Sequence, residues 1–177
     1  LFTPPHLRMI NGQHDRQLGL STEAIRLGEI MLNTWLTDDT IQIRESVDTW
    51  QEAVRLSAQP LLQKGIITPD YLAAIYQQHE KLGPYYVLAP GIAMPHARPE
   101  EGAKSLGLSL LSVKQDVLFH SADNDPVNLI VMLSAPDSHS HIELISHLAE
   151  FFSDDDAVKK VHRAATREEI KAIIEKF

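Results

Sequence analysis

The alternation of apolar and polar residues becomes regular from about residue 40 and continues to the end of the chain. Apolar stretches of strand length lie at residues 41–43, 85–88, 92–94, 106–113 and 127–133. Helical patterns lie at residues 49–64, 68–82 and 139–152, and two short helices are expected after them. Helices around a run of central strands predict an α/β fold, a mixed central sheet flanked by helices on both faces in a three-layer sandwich.

Cap residues mark where several of these helices begin. Thr49 and Glu52 form a capping box, in which each side chain is expected to satisfy a free backbone N–H group. Thr166 and Glu169 repeat the pattern at the last helix. Pro69 stands in the first turn of the second helix, where the missing N–H group has no cost.

The N-terminal part of the chain lacks this regular pattern. It begins with polar, turn-rich sequence, and a helix capped by Ser21 or Thr22 is expected to follow. We divide the chain into a partly helical N-terminal extension at residues 1–36 and one domain at residues 37–177, with Met31 as an alternative start of the domain.

Charge and composition exclude several classes of protein. The chain has 24 acidic and 16 basic residues, a net charge of -8, and no basic stripe, so nucleic acid is not an expected partner. The acidic surface suits a basic protein partner or simply solubility. The absence of cysteine excludes a disulfide scaffold, a thiolate metal site and a cysteine nucleophile.

Apolar runs in this chain are short. The longest, residues 129–133, matches a strand and is too short to cross a bilayer. The first residues lack the charged head and apolar core of a signal peptide. We therefore expect a cytoplasmic protein.

Among nine histidines, His96 has the most suggestive position. It follows a predicted strand and Pro95, and a polar turn comes after it, so its side chain is expected at a strand end. One ring nitrogen would be free to attack, and the other could donate to a carbonyl group and fix the tautomer. An ordinary loop histidine is the alternative.

His141 is the second candidate, because it opens a predicted helix. Helical spacing places it on one face with Ile145, Leu148 and Phe152, so it is expected to project toward the interior or a cleft. A helix N-terminus also attracts phosphate. A histidine at the edge of the core, bonded to the backbone, is the alternative.

The remaining histidines are interpreted as structural or exposed. His79 and His162 lie on polar helical stretches and are expected to be solvated. His120 is interpreted as a surface histidine, with an approach to the site as the alternative. No metal site is expected, because His139 and His141 would point to different sides of a helix and His-Glu-x-x-His is absent. Nucleotide-binding and acyl-hydrolase motifs are absent too.

Residues 83–97 resemble the signature of the mannitol/fructose-type IIA domains of the bacterial phosphotransferase system. Leu88-Ala89 matches an aliphatic-small pair of that signature, and residues 92–97 match its Pro-His motif. His141 falls where the family carries a second active-site histidine. The resemblance covers residues 38–177, and it implies the family's three-layer fold.

The resemblance also implies a mechanism. His96 would be the phosphorylated nucleophile, receiving phosphate from the phosphocarrier HPr and passing it to a cysteine of a IIB component. His141 would stabilise the transferred phosphate, with Arg98 as a possible support. The membrane IIC permease would be an indirect partner, a homodimer is left open, and no cofactor or metal is required.

Two further segments, residues 98–102 and 123–127, resemble the ascorbate-specific branch of the family. Ascorbate or a related acidic sugar is therefore the expected substrate of the transport system. Two alternatives remain: a regulatory phosphoprotein of the same fold, and a histidine-dependent phosphohydrolase that uses the same nucleophile.

Overall fold

The structure, a computed structural model, describes residues 31–177. The strands in this part of the chain are β1 (Ile41–Arg44), β2 (Val87–Ala89), β3 (Ile92–Ala93), β4 (Gly107–Val117) and β5 (Val127–Ser134). They form one sheet in the order β1-β4-β5-β3-β2. β1 runs parallel to β4 and β3 parallel to β5, whereas β4 with β5 and β2 with β3 are antiparallel. The mixed sheet is confirmed.

The helices of the described residues are α1 (Leu32–Trp35), α2 (Trp50–Gln63), α3 (Pro69–Leu82), α4 (Ile142–Phe152), α5 (Asp155–Arg163) and α6 (Arg167–Ile174). A short 3₁₀ turn, Pro99–Glu101, follows β3. The helices predicted after residue 40 are all present. The helix predicted after Ser21 lies largely outside the described residues, and α1 covers its last part.

Two apolar layers hold the helices against opposite faces of the sheet. Alternate residues of β5 divide between them: Leu129 and Val131 join the cluster that contains α1 and α4–α6. Ile130 and Met132 join the cluster that contains α2 and α3. Burying each such side chain contributes about 1.5–3 kcal/mol relative to exposing it. This arrangement confirms the three-layer sandwich.

The two predicted capping boxes are only half formed. The Thr49 hydroxyl accepts the Glu52 N–H group at 3.2 Å, but the Glu52 carboxylate pairs with the Arg55 guanidinium instead of returning to Thr49. At α6 the Glu169 carboxylate accepts from the backbone N–H group before the cap residue. The cap hydroxyls alone therefore satisfy helix donors in the predicted way.

The expectation that His79 is solvated is wrong. Its side chain is buried, and its ring stacks on Trp50 with 3.6 Å between the ring centroids. Nδ1 lies 2.7 Å from the Tyr86 hydroxyl, and burial lowers the pKa of this histidine. The physical reason is helical spacing, because His79 continues the buried α3 face of Tyr71 and Ile75 at intervals of four residues. His162 is half-buried rather than solvated.

A helix that crosses a membrane must be both long and predominantly apolar. Over residues 31–177, no helix combines the length and the apolar character needed to span a bilayer.

Candidate active site

The two candidate histidines meet at one end of the sheet. β3 and β5 are parallel neighbours, so their carboxyl ends lie at the same edge. His96 follows β3 after two further residues, and the chain leaving β5 turns through residues 135–141 into α4. Strand ends therefore bring together side chains that are far apart in sequence.

His96 and His141 line a common cleft of about 250 Å³, which we call the His96 cleft. Its wall also includes apolar side chains and two polar groups: Tyr71, Met94, Leu133, Asp137 and Ile145. Both histidines are half-buried. The cleft thus presents two imidazoles to a small ligand while keeping them accessible from outside.

The orientation of the His96 ring is set by its own backbone. Nδ1 lies 2.7 Å from the Met94 carbonyl oxygen. A carbonyl oxygen can only accept, so Nδ1 carries the proton and Nε2 of the neutral ring keeps its lone pair. Such an imidazole can act as a nucleophile through Nε2 without first losing a proton.

The segment around His96 is fixed by further hydrogen bonds. The Leu133 N–H group donates to the Pro95 carbonyl at 3.1 Å, and the Tyr85 hydroxyl donates to the His96 carbonyl at 2.5 Å. Three consecutive carbonyl groups, from Met94 to His96, therefore accept hydrogen bonds. The neighbouring Leu133 carbonyl accepts from the Tyr71 hydroxyl at 2.6 Å, and burial raises the pKa of Tyr71 to about 12.

His141 occupies the cap position of α4 rather than the first turn predicted for it. Its Nδ1 donates to the Asp137 carbonyl at 3.1 Å. The Asp137 carboxylate accepts the N–H groups of His139 and Ser140 at 2.8 and 2.6 Å, and these bonds lower the pKa of Asp137. A turn thus precedes the helix, which begins at Ile142 instead of the predicted residue 139.

Two other residues considered from the sequence lie elsewhere. Arg98 is exposed and does not line the His96 cleft, and its backbone N–H group donates to the Glu101 carboxylate at 3.0 Å. His120 is exposed after the end of β4, with its ring centroid 6.0 Å from that of His79. The structure therefore brings together His96 and His141, and places Arg98 and His120 outside the cleft.

Three residues of the site were missed in the sequence. Asp137 could have been found, because an aspartate just before a predicted helix commonly accepts nearby N–H groups. Tyr71 could have been inferred only to be buried, from its place on the α3 face. Tyr85 gave no local signal, because its bond to His96 depends on how β2 and β3 pair.

A metal ion held by side chains needs several ligands close together. Among residues 31–177, no three or more histidine, cysteine, aspartate or glutamate side chains are grouped in a way that could hold a metal ion.

The topology of the sheet and the two histidines that share the His96 cleft define a class of protein, and comparison with known proteins identifies it. Residues 34–177 match the family described as phosphoenolpyruvate-dependent sugar phosphotransferase system, EIIA 2. The chain belongs to this family, and the resemblance stated from the sequence is confirmed.

Individual relatives agree with this assignment. The ascorbate-specific EIIA component of Escherichia coli K12 is 36% identical over 138 residues, which cover 77% of this chain and 90% of the relative. The ascorbate-specific component of Salmonella typhimurium LT2 is 36% identical over 140 residues, covering 78% and 91%. The solution structure of the mannitol-specific cryptic enzyme IIA of E. coli is 36% identical, with a TM-score of 0.77, covering 84% and 100%.

Proposed function

We propose that this chain is a phosphocarrier that accepts a phosphoryl group on His96 Nε2 from phospho-HPr and passes it to a cysteine of a IIB component. The observation that carries the proposal is the His96 Nδ1 bond to the Met94 carbonyl, at 2.7 Å. That bond leaves Nε2 as the nucleophilic nitrogen in a cleft shared with a second histidine. Family membership supports phosphotransfer as the reaction class.

The first phosphoryl transfer needs no co-reactant, because one N–P bond forms as another breaks. The Nε2 lone pair of His96 attacks phosphorus in line, and the N–P bond of the donor histidine breaks as its nitrogen leaves with the electron pair. His96 Nδ1 keeps its proton throughout, and this N–H group stays hydrogen-bonded to the Met94 carbonyl oxygen. In the second transfer a IIB thiolate attacks the same phosphorus, and the His96 ring leaves in its original neutral state.

Stabilisation of the transferring group falls mainly to His141. The transition state spreads negative charge over three oxygens, so donors aimed at those oxygens lower its energy. His141 Nδ1 already donates to Asp137, so its Nε2 is the nitrogen that serves the phosphoryl group. Only the protonated imidazole donates from both nitrogens, so His141 acts as a cation in this step. Arg98 is a candidate support in the docked complex, where its exposed side chain can approach the phosphoryl oxygens.

The first prediction tests the nucleophile. We expect that His96→Ala accepts no phosphate from phospho-HPr, because the attacking nitrogen is gone while the cap bonds and core of the fold remain. His139→Ala is the matched control, since His139 is exposed and does not line the His96 cleft. The measurement is transfer of labelled phosphate, with circular dichroism to check folding. A labelled His96→Ala protein would refute the assignment.

The same assay separates a carrier from a phosphohydrolase. A carrier holds the phosphoryl group until a thiol acceptor is added, whereas a hydrolase releases inorganic phosphate to water. We expect labelled wild-type protein to persist in buffer and to lose its label on addition of a IIB component. Steady phosphate release without that acceptor would contradict the proposal.

For the sugar, we propose ascorbate. In this scheme the chain transfers phosphate between proteins and never contacts the sugar, so sugar specificity enters only through its partners. Residues 98–102, one of the two segments that carry the ascorbate resemblance, lie just after His96 and include the 3₁₀ turn Pro99–Glu101. An ascorbate-specific and a mannitol-specific relative match at the same identity, so overall identity does not separate the two sugars.

The second prediction tests this specificity by complementation. We expect the chain to restore growth on ascorbate in cells that lack their own ascorbate EIIA component. The same chain in cells lacking the mannitol component is the control and is expected not to restore growth on mannitol. Growth on mannitol alone would reject ascorbate and leave the phosphocarrier proposal standing.

A further inference from the structure

The His96 carbonyl group is held by a side chain from another part of the chain. The Tyr85 hydroxyl donates to this oxygen at 2.5 Å. The two preceding carbonyl groups are bonded differently, that of Met94 by the His96 ring itself and that of Pro95 by the β5 backbone. Tyr85 thus contributes the hydrogen bond to the last of these three carbonyl groups.

The Tyr85 ring is well placed to confine the imidazole. Its centroid lies 5.7 Å from that of His96, with the planes at 82°, an edge-to-face contact. The Tyr85 ring makes a second edge-to-face contact, with its centroid 5.0 Å from that of the fully buried Tyr86. Tyr85 therefore touches both the carbonyl group and the ring of His96 while being anchored to the core.

The hydroxyl remains a donor over the whole neutral pH range. Burial raises the pKa of Tyr85 to about 12, so the phenol keeps its proton. Tyr85 is nevertheless 36% exposed. The apolar ring of Tyr85 can therefore pack against its neighbours while its hydroxyl group donates to the His96 carbonyl at the edge of the cleft.

We propose that Tyr85 is a positioning residue, which holds the His96 backbone and ring so that the Nδ1 bond to the Met94 carbonyl persists and Nε2 alone is presented to phosphorus. The inference deepens the proposed function, on which its catalytic consequence rests. Tyr85 acts through His96 and needs no contact with the phosphoryl group.

Loss of the hydroxyl has a chemical consequence at the imidazole. When the His96 carbonyl is released, the backbone and ring gain freedom and the Nδ1 bond to Met94 breaks more often. The proton then distributes between the two nitrogens, and Nδ1 becomes a second nucleophile. Tyr85→Phe is therefore expected to give a mixture of imidazole tautomers and, after phosphorylation, some phosphate on Nδ1.

Tyr76→Phe is a matched control within the same chain. The Tyr76 hydroxyl also donates to a backbone carbonyl, that of Gln51, at 3.0 Å, and its ring is half-buried. It lies on α3 and does not line the His96 cleft. Both substitutions remove one phenol-to-carbonyl hydrogen bond, but only Tyr85→Phe removes one that ends on His96.

The experiment measures tautomers first, by nitrogen-15 NMR of the imidazoles in the unphosphorylated full-length chain. We expect the wild type and Tyr76→Phe to show His96 protonated at Nδ1, and Tyr85→Phe to show both tautomers. This readout does not require that His96 accept phosphate. A wild-type tautomer pattern in Tyr85→Phe would overturn the inference, even if its melting temperature falls.

Kinetics and phosphorus-31 NMR then test the catalytic consequence. We expect kcat for acceptance from phospho-HPr to fall about tenfold in Tyr85→Phe, the effect of losing one net hydrogen bond of about 1.4 kcal/mol. KM is expected to stay unchanged, and a second phosphohistidine isomer is expected to appear. A rise in KM alone would assign the hydroxyl to docking and overturn the positioning role. If His96→Ala is labelled while Tyr85→Phe still shifts the tautomers, the proposed function fails and the positioning role stands.

Discussion

At the scale of single residues, the two histidines of the cleft have the same local bond but different surroundings. Each donates from Nδ1 to a backbone carbonyl, at 2.7 Å for His96 and 3.1 Å for His141. His96 lies in a segment fixed by further hydrogen bonds, whereas His141 stands at a helix cap in an exposed turn. The further bonds around His96 suit a nucleophile that must keep one orientation, whereas the Nδ1 bond of His141 holds its ring as a donor at the edge of the cleft.

The third prediction follows from this difference. We expect His141→Ala to accept phosphate from phospho-HPr on the order of 10²-fold more slowly, because removing one preorganised donor typically has an effect of that size. Acceptance should not be abolished, since His96 Nε2 remains. His147→Ala on the same helix, outside the His96 cleft, is the control. Rapid-mixing transfer assays give the rates, and equal rates in His141→Ala and wild type would remove His141 from the site.

At the scale of elements, the turn before α4 connects a carboxylate to the position of His141. The Asp137 carboxylate accepts two backbone N–H groups, and the backbone carbonyl of Asp137 accepts from the His141 ring. Both bonds of the carboxylate lower the pKa of Asp137. Asp137 thus holds both the backbone of the turn and the ring of His141.

The fourth prediction concerns the pH dependence of this turn. Because the pKa of Asp137 is lower in the folded protein than the ordinary value of about 3.9, its contribution is complete above that value and is lost as pH falls through the folded pKa. At pH 7 we expect Asp137→Asn to exchange the amide protons of His139 and Ser140 several-fold faster than wild type, because a neutral amide, like the carboxyl group protonated at low pH, accepts hydrogen bonds more weakly than the carboxylate. Asp123→Asn, an exposed change elsewhere, is the control. Equal exchange in both variants at pH 7 would contradict the prediction.

Element positions were predictable where a periodic pattern or a cap signal was strong. The strand at residues 127–133 and the helix from Pro69 to Leu82 were placed within a residue of the observed ends. The start of α4 was misplaced because residues 137–140 form a turn closed by the Asp137 carboxylate, and helical backbone bonding begins only where the Ile145 N–H group donates to the His141 carbonyl. The Tyr85 bond to His96 could not be predicted, since it depends on tertiary pairing rather than on local sequence.

At the scale of the whole molecule, the described residues form one compact unit from Met31 to Phe177. The Leu32 N–H group donates to the Phe177 carbonyl at 3.3 Å, which joins the two ends of this unit. Leu32 and Leu36 are buried in the same apolar cluster as α4 and α6. Leu32 and Leu36 therefore contribute to the core against which α4 packs, and α4 begins next to His141.

The last prediction concerns where the functional unit begins, since the sequence pattern favours residue 37 as the start of the domain and offers Met31 as the alternative. We expect a chain that begins at Met31 to accept phosphate from phospho-HPr at the full-length rate, because it keeps all the described contacts of the His96 cleft. A chain that begins at Thr37 loses Leu32 and Leu36, each fully buried or nearly so, at a cost of about 1.5–3 kcal/mol per side chain. Urea unfolding of the two truncated proteins measures that difference, and phosphate transfer measures activity. Equal stability of the two would favour the boundary at residue 37, and a folded Met31 chain that accepts no phosphate would show that the first 30 residues take part in the reaction.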